Sequence, residues 1–179
     1  MAAFSIFTLC PVEFEHPGLA VAAARAGGVG LLDLEYCSEE GRIRENWERL
    51  QSATNGEIGL RVPASRIGFA LDLLAGSKRT CHLLVAGPFA DFGAKCLEFG
   101  ATASGLHVYA EIRDVAEYRL IENAPVEGIV AKGHEAGGWV GEDSTYILVQ
   151  KLLALNPGKP IFALGGIGIH TGAACRVAG

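Results

Sequence analysis

The chain has 179 residues, of which half are hydrophobic, and a formal net charge of −5. A chain of this length is expected to form one domain with a sizeable core, and its acidic balance argues against a nucleic-acid-binding face. No apolar run reaches the roughly eighteen residues of a membrane-spanning helix, and the apolar N-terminus lacks the basic segment and cleavage site of a signal peptide.

The cysteines are odd in number and scattered, with neither a CxxC pair nor a Cys/His spacing typical of a metal site. They are Cys10, Cys37, Cys81, Cys96 and Cys175. This usage predicts reduced thiols in a cytoplasmic protein and no bound metal. Cys10, at the end of the first predicted strand, is interpreted as a small buried apolar residue, with a reactive thiol as the alternative.

Strand-like and helix-like segments alternate strictly along the chain. Short β-rich apolar runs predict strands at residues 4–9, 29–34, 58–62, 81–86, 106–112, 126–131 and 160–164. Helical spacing and capping signals predict helices at residues 19–26, 39–52, 66–74, 90–99, 114–123, 144–155 and 171–179. The first strand is predicted to stop at Cys10-Pro11, and Asp114 followed by Glu117 predicts a capping box.

Strict alternation of this kind predicts parallel strands with helices outside them. Seven consecutive βα units favour a (β/α)8 TIM barrel over an open doubly wound sheet. No eighth strand follows the seventh helix before Gly179. The expected fold is therefore an α/β TIM barrel truncated after the seventh βα unit, and the single domain 1–179 is interpreted as an N-terminal fragment of a longer protein. An incomplete barrel closed by something else is the alternative.

The segments after predicted strands six and seven carry the clearest chemical signal, because active sites of such barrels lie at the carboxyl ends of the strands. Residues 131–141 combine glycines with His134 and Glu135, whose side chains are suited to proton chemistry. Residues 165–168 hold three glycines and precede a predicted helix, whose free amides favour a phosphate. The alternative is that these glycines only make a tight turn.

Three stretches, residues 16–30, 128–141 and 160–174, resemble the nitronate monooxygenase (2-nitropropane dioxygenase-like) flavoproteins and the related FMN-dependent enoyl reductases. The resemblance spans nearly the whole chain, and the GHEAGG motif with the downstream glycine pair is its most specific part. It implies a TIM barrel with non-covalent FMN, whose phosphate would lie on Gly165, Gly166 and Ile167. The flavin and substrate pocket would be lined by Gly133, Glu135, Ala136, Gly137 and Gly138.

The chain departs from the family pattern at three positions of this pocket. Trp139 replaces the histidine that acts as the catalytic base in the monooxygenases, and an indole has no basic nitrogen. Arg61 replaces an asparagine, and Lys132 replaces a glutamine, at positions where the family contacts the flavin. Both exchanges are expected to add positive charge, which could favour an anionic reduced flavin or a phosphate-bearing substrate. His134 is the remaining candidate for the catalytic base, with an exposed structural histidine as the alternative, and Glu135 is interpreted as a carboxylate that supports the loop.

The sequence leaves three functions open. The first is an FMN-dependent oxidoreductase acting on a small-molecule substrate, either nitronate monooxygenase-like or enoyl-reductase-like. The second is a catalytically degenerate barrel module of a multidomain polyketide or fatty-acid synthase, in which other synthase domains would be its partners. The third, a flavin-free isomerase or lyase that binds a phosphate, ranks last because it leaves the GHEAGG motif unexplained.

Overall fold

The computed structural model describes residues 5–77, 79–89 and 105–178, so the predicted helix at 90–99 and Cys96 lie outside the described residues. Seven strands form a sheet whose order is the chain order, β1 to β7. They are β1 (Phe7–Pro11), β2 (Val29–Asp33), β3 (Glu57–Pro63), β4 (Cys81–Ala86), β5 (Leu106–Ile112), β6 (Gly128–Lys132) and β7 (Ile161–Leu164). The pairs β1–β2, β2–β3, β5–β6 and β6–β7 are parallel.

Where the connections between successive strands are described, which leaves out that from β4 to β5, they contain helices, as the alternating pattern predicts. They are α1 (Gly18–Arg25), α2 (Glu40–Ala53), α3 (Ile67–Ala75), α4 (Val115–Ile121), α5 (Thr145–Ala154) and α6 (Ile169–Ala178). No helix in the described part of the chain has the length and apolar character needed to cross a bilayer. The repeated parallel βα unit confirms the predicted fold class, a (β/α)8 barrel through its seventh unit.

The contacts divide the chain into two compact units. The first unit is Met1–Val85 with Ala103–His107, and the second is Ala86–Thr102 with Val108–Gly179. Strands β4 and β6 are buried along their whole length, as expected for parallel strands covered on both faces. In the first unit, α2 buries Ile43, Trp47 and Leu50, the face that the helical spacing predicts.

The first strand ends at the predicted stop but begins later than predicted. Strand β1 starts at Phe7, three residues after the predicted start at residue 4, and ends at Pro11, within the predicted Cys10-Pro11 stop. Val12 N donates to Asp33 O at 3.2 Å, so the ring nitrogen of Pro11 points away from β2. Strand β1 is the first in the sheet order, where a proline removes no bond to a neighbour. The other predicted boundaries among the described residues lie within two positions of those observed.

The predicted capping box at α4 forms in only one of its two halves. Asp114 Oδ1 accepts from Glu117 N at 2.7 Å, as predicted. The Glu117 carboxylate, however, accepts from Arg113 N at 2.8 Å instead of from the amide of Asp114. It also accepts from the Arg113 guanidinium, a charged partner that attracts it away from the cap.

Helix α1 approaches β2 so closely that only glycine fits at position 30. A Cβ at Gly30 would lie 2.1 Å from Ala20 O, a backbone atom that cannot rotate away. At Gly41, an exposed position of α2, a Cβ would have no atom within 4 Å. These two glycines therefore form a matched pair of test positions.

We predict that Gly30→Ala destabilises the fold by about 2–3 kcal/mol, because the added methyl forces α1 away from the sheet. Gly41→Ala, the matched control, should leave stability unchanged or raise it slightly, since alanine is the better helix residue. Urea unfolding midpoints of the two variants measure the difference. Equal midpoints would contradict the close approach of α1 to β2.

Candidate functional site

The loop after β6 is tied to its neighbours through its backbone. Gly133 N donates to Leu164 O at 3.0 Å, and His134 N donates to Asp143 O at 2.9 Å. A Cβ at Gly133 would lie 2.1 Å from Thr145 N, so this position needs glycine. The first residues of the GHEAGG motif are thus packed directly against the start of α5.

A carboxylate and a hydroxyl connect this loop to the end of β7. Glu135 Oε2 accepts from Thr145 N at 2.9 Å and lies 3.0 Å from Thr145 Oγ1. The same hydroxyl lies 3.1 Å from Leu164 O and 2.9 Å from Gly165 O. A hydroxyl has one proton, so it donates to one of these three acceptors at a time. Thr145 is 1% exposed, and its contacts join the two glycine loops at one point.

Glu135 is held in its charged form. The hydrogen bond from the backbone amide of Thr145 is the main cause that lowers the pKa of Glu135, and the bond from its own amide acts in the same direction. The carboxylate also lies at the N-terminus of α5, where negative charge is favoured. Glu135 therefore fits the predicted structural role better than the role of a general acid.

The glycine pair after β7 has a backbone that other residues rarely adopt. The φ angle is +115° at Gly165 and +60° at Gly166. A Cβ at Gly165 would lie 2.8 Å from Ala136 N, so the two loops are in direct contact. Gly166 and Ile167 are exposed, and α6 begins at Ile169, where the first amides of a helix have no internal partner. This arrangement offers backbone amides to an anion, as the phosphate site predicted from the sequence requires.

The remaining motif residues are exposed. His134, Gly137, Gly138 and Trp139 all face solvent, and Ala136 is half-buried. The backbone of His134 is bonded, but no residue in the described ranges hydrogen-bonds its imidazole. A catalytic histidine is usually oriented by such a partner. The interpretation of His134 as an exposed structural histidine therefore remains.

Lys132 is buried with a carboxylate beside it. Its Nζ lies 3.4 Å from Glu111 Oε1, and the two side chains are 3% and 2% exposed. Lys132 ends β6 and Glu111 lies near the end of the paired strand β5. The negative charge of Glu111 therefore offsets the positive charge that the exchange to Lys132 was expected to add.

Arg61 belongs to the first unit and has two carboxylates beside it. Its Nη1 lies 2.8 Å from Asp33 Oδ1 and 2.6 Å from Glu35 Oε2, and the Arg61 side chain is 2% exposed. Burial raises the pKa of Asp33, although the charge of Arg61 acts in the opposite direction. The expected gain of positive charge at position 61 is therefore also offset.

Sequence reasoning missed Thr145, Asp33 and Arg113 among the residues that shape these strand ends. Asp33 pairs in register with Arg61 on the adjacent strand, a relation that the predicted strand alignment could have suggested. Thr145 gave no signal beyond its place in the first turn of the helix predicted at residues 144–155. Within the described ranges, no group of histidine, cysteine, aspartate or glutamate side chains could hold a metal ion.

Comparisons with known proteins give structural neighbours only. The sequence matches no protein-family profile and no curated protein. FabK from Thermotoga maritima superposes with a TM-score of 0.76 at 23% identity, over 91% of this chain and 51% of that one. A mutant of the same FabK gives a TM-score of 0.77 at 23% identity, over 92% of this chain and 54% of that one.

Nitroalkane oxidase from Streptomyces ansochromogenes superposes with a TM-score of 0.73 at 18% identity, over 97% of this chain and 62% of that one. The chain thus spans between about half and three fifths of the length of these structures. The neighbours confirm, at the level of the fold, the resemblance that the three sequence stretches indicate.

We predict a pH-dependent contribution of Glu135 to stability. A lowered folded-state pKa means that the stabilisation is complete above the unfolded-state pKa and is lost as pH falls through the folded-state pKa. The difference in urea midpoint between the wild type and Glu135→Gln should therefore be constant near neutral pH and shrink in acid. Glu48→Gln, at an exposed position of α2, is the control for loss of a glutamate charge. A difference that grows in acid would contradict the assignment.

Proposed function

We propose that the chain provides the flavin-binding part of an FMN-dependent oxidoreductase. The observation that carries the proposal is the contact between the GHEAGG loop and the Gly165-Gly166 pair through Glu135 and Thr145. A loop with two positive φ angles followed by a helix N-terminus suits a phosphate, and the adjacent exposed glycines allow a flat ring to approach the backbone. The fold of the neighbours supports the same proposal.

In this proposal the amides of Gly165, Gly166 and Ile167 hold the phosphate. The GHEAGG loop lines the ring system, with Glu135 fixing the loop and Gly137 and Gly138 leaving the approach open. Bound FMN would supply hydride or electron transfer, which protein side chains cannot perform. Lys132, which lies in the same unit as the two glycine loops, remains a candidate rim residue and would act as half of an ion pair.

The choice of reaction follows from the groups available for proton transfer. Abstraction of a proton from carbon needs a basic group within reach of the substrate, and the indole of Trp139 has no basic nitrogen. Glu135 is engaged by Thr145, so His134 is the remaining candidate in the loop. Reduction of an already unsaturated substrate does not begin with proton abstraction. We therefore favour enoyl-reductase-like chemistry over an oxidation that begins with deprotonation of a neutral nitroalkane.

The alternative, a degenerate barrel module of a polyketide or fatty-acid synthase, rests on the exchange at Trp139. Loss of the usual base is compatible with loss of activity, but the glycine geometry that suits the phosphate is retained. A module without activity has no need to keep that geometry. Flavin uptake followed by reduction separates the two possibilities.

We predict that the purified chain takes up FMN with the visible absorption of a bound flavin, and that NADH or NADPH bleaches it. Gly166→Ala should weaken FMN binding, because alanine is strained at a φ of +60°. Gly172→Ala, within helix α6, is the matched control and should bind FMN normally. A folded, colourless chain that takes up no FMN would overturn the proposal.

The same preparation tests His134. A role as general base predicts that His134→Ala lowers turnover by about 10²–10⁴-fold. Unchanged turnover would remove His134 as the base and leave it as an exposed histidine of the loop.

A further inference from the structure

A lysine amine is buried at the carboxyl end of β6. Lys132 is the last residue of this strand, and its side chain is 3% exposed. Lysine is rarely buried to this degree, because its ammonium group is strongly hydrated. Lys151, an ion-paired lysine of α5 in the same unit, has a side chain that is 50% exposed. Burial therefore distinguishes Lys132 from an ordinary surface lysine.

One carboxylate lies beside this amine. Lys132 Nζ is 3.4 Å from Glu111 Oε1, which belongs to the paired strand β5. In the part of the chain that the structure describes, Lys132 has no second charged partner. A buried pair of this kind adds little stability, because desolvation of the two charges offsets their attraction. Stability alone thus gives little reason to place an amine and a carboxylate at this strand end.

The strand register places both charged side chains on one face of the sheet, at its carboxyl edge. Glu111 aligns with Val130, two residues before Lys132, and side chains two residues apart in a strand share a face. Tyr109 and Phe162 lie on the same face, farther from the strand ends, with ring centroids 5.6 Å apart. A ligand at the carboxyl edge therefore reaches the amine without crossing this aromatic layer.

The neighbouring strand β7 ends in the glycine loop that suits a phosphate. Lys132 aligns with Leu164, and Gly165 and Gly166 follow directly. The buried amine and the free backbone amides thus lie at the ends of two adjacent strands. A small molecule that carries both a carbonyl group and a phosphate would find a partner for each.

We infer that Lys132 is a nucleophile that forms an imine with a small aldehyde or ketone bearing a phosphate group. A desolvated amine beside a proton acceptor is an arrangement in which lysine attacks carbonyl groups. Glu111 takes one proton from the ammonium, and the neutral nitrogen then adds to the carbonyl carbon. The carbonyl oxygen leaves as water with one proton from the nitrogen and one from Glu111. Ammonium and carbonyl therefore give one protonated imine and one water.

This activity goes beyond the proposed flavin chemistry and shares only the phosphate loop with it. Imine formation needs no oxidant, no reductant and no flavin. The protonated imine draws electrons from the adjacent carbon, so a C–H or C–C bond at that carbon breaks more easily. Isomerisation and carbon–carbon cleavage are the classes of reaction that such an intermediate supports.

Reductive trapping tests the inference. The full chain, without FMN, is incubated with dihydroxyacetone phosphate and sodium cyanoborohydride, which converts an imine into a stable secondary amine. Peptide mass mapping then locates the adducts. Lys132 should carry at least about tenfold more adduct than the exposed, ion-paired Lys151. Dihydroxyacetone, which lacks the phosphate, should label Lys132 about tenfold less.

Two variants separate the roles of the pair. Lys132→Arg keeps a cation beside Glu111 but has no amine that forms an imine, so the adduct at this position should vanish while the circular dichroism spectrum is unchanged. Glu111→Gln keeps the lysine and removes the proton acceptor, so trapping at Lys132 should slow by about tenfold or more.

The wild-type adduct map decides the inference even where a variant fails to fold. Labelling of Lys132 no higher than that of Lys151, or an unchanged rate in a folded Glu111→Gln variant, would overturn the inference. Equal labelling by the two probes would overturn the assignment of a phosphate-bearing ligand. Flavin uptake, measured on separate samples, reports on the proposed function independently.

Discussion

The hydrogen bonds of Thr145 with Glu135 and with the end of β7 are the interaction on which the candidate site depends. One buried residue contacts a carboxylate of the loop after β6 and two carbonyl oxygens at the end of β7. Gly133 and Gly165 are glycines because a side chain at either position would collide with this junction. The positive φ angles of the Gly165-Gly166 pair are thus held by packing against the GHEAGG loop. Leaving a buried polar group without its partner costs about 1–3 kcal/mol, so the junction resists rearrangement.

The basic residues near the strand ends are paired with acids. Arg61 has two carboxylates, Lys132 has Glu111, and Arg113 has Glu117. Buried pairs of this kind fix geometry more than they add stability, because desolvation offsets much of the attraction. The two exchanges at positions 61 and 132 therefore change hydrogen bonding at the strand ends without leaving an uncompensated positive charge. Neither residue therefore supplies an unpaired positive charge that could stabilise an anionic flavin.

Local patterns predicted the fold because each βα unit is encoded within a short stretch. Apolar strands, glycine breaks and the Asp114 cap are local features, and the described elements lie close to their predicted positions. The capping box was only half right because a competing partner decides the outcome. The Glu117 carboxylate accepts from Arg113 N and so does not complete the box.

The candidate site could be predicted only in part, for the same reason. The glycine loops and Glu135 were visible as a motif, and Trp139 as a departure from it. Thr145 as the junction, and the cation–π contact of Arg113 with Trp139, depend on side chains from separate βα units. Sequence spacing does not report such distances. The pairing of Arg61 with Asp33 is predictable in part, since it follows from the strand register once the two strands are aligned.

We propose that the Glu135–Thr145 junction shapes a phosphate-binding loop. The direct measurement is the ratio of FMN to riboflavin affinity in the wild type, Thr145→Ser and Thr145→Val. We expect the phosphate to strengthen wild-type binding by about tenfold or more. Thr145→Ser should keep this preference because it keeps the hydroxyl, and Thr145→Val should lose it. Equal binding of FMN and riboflavin by the wild type, or a full preference for FMN in Thr145→Val, would contradict this role of the junction.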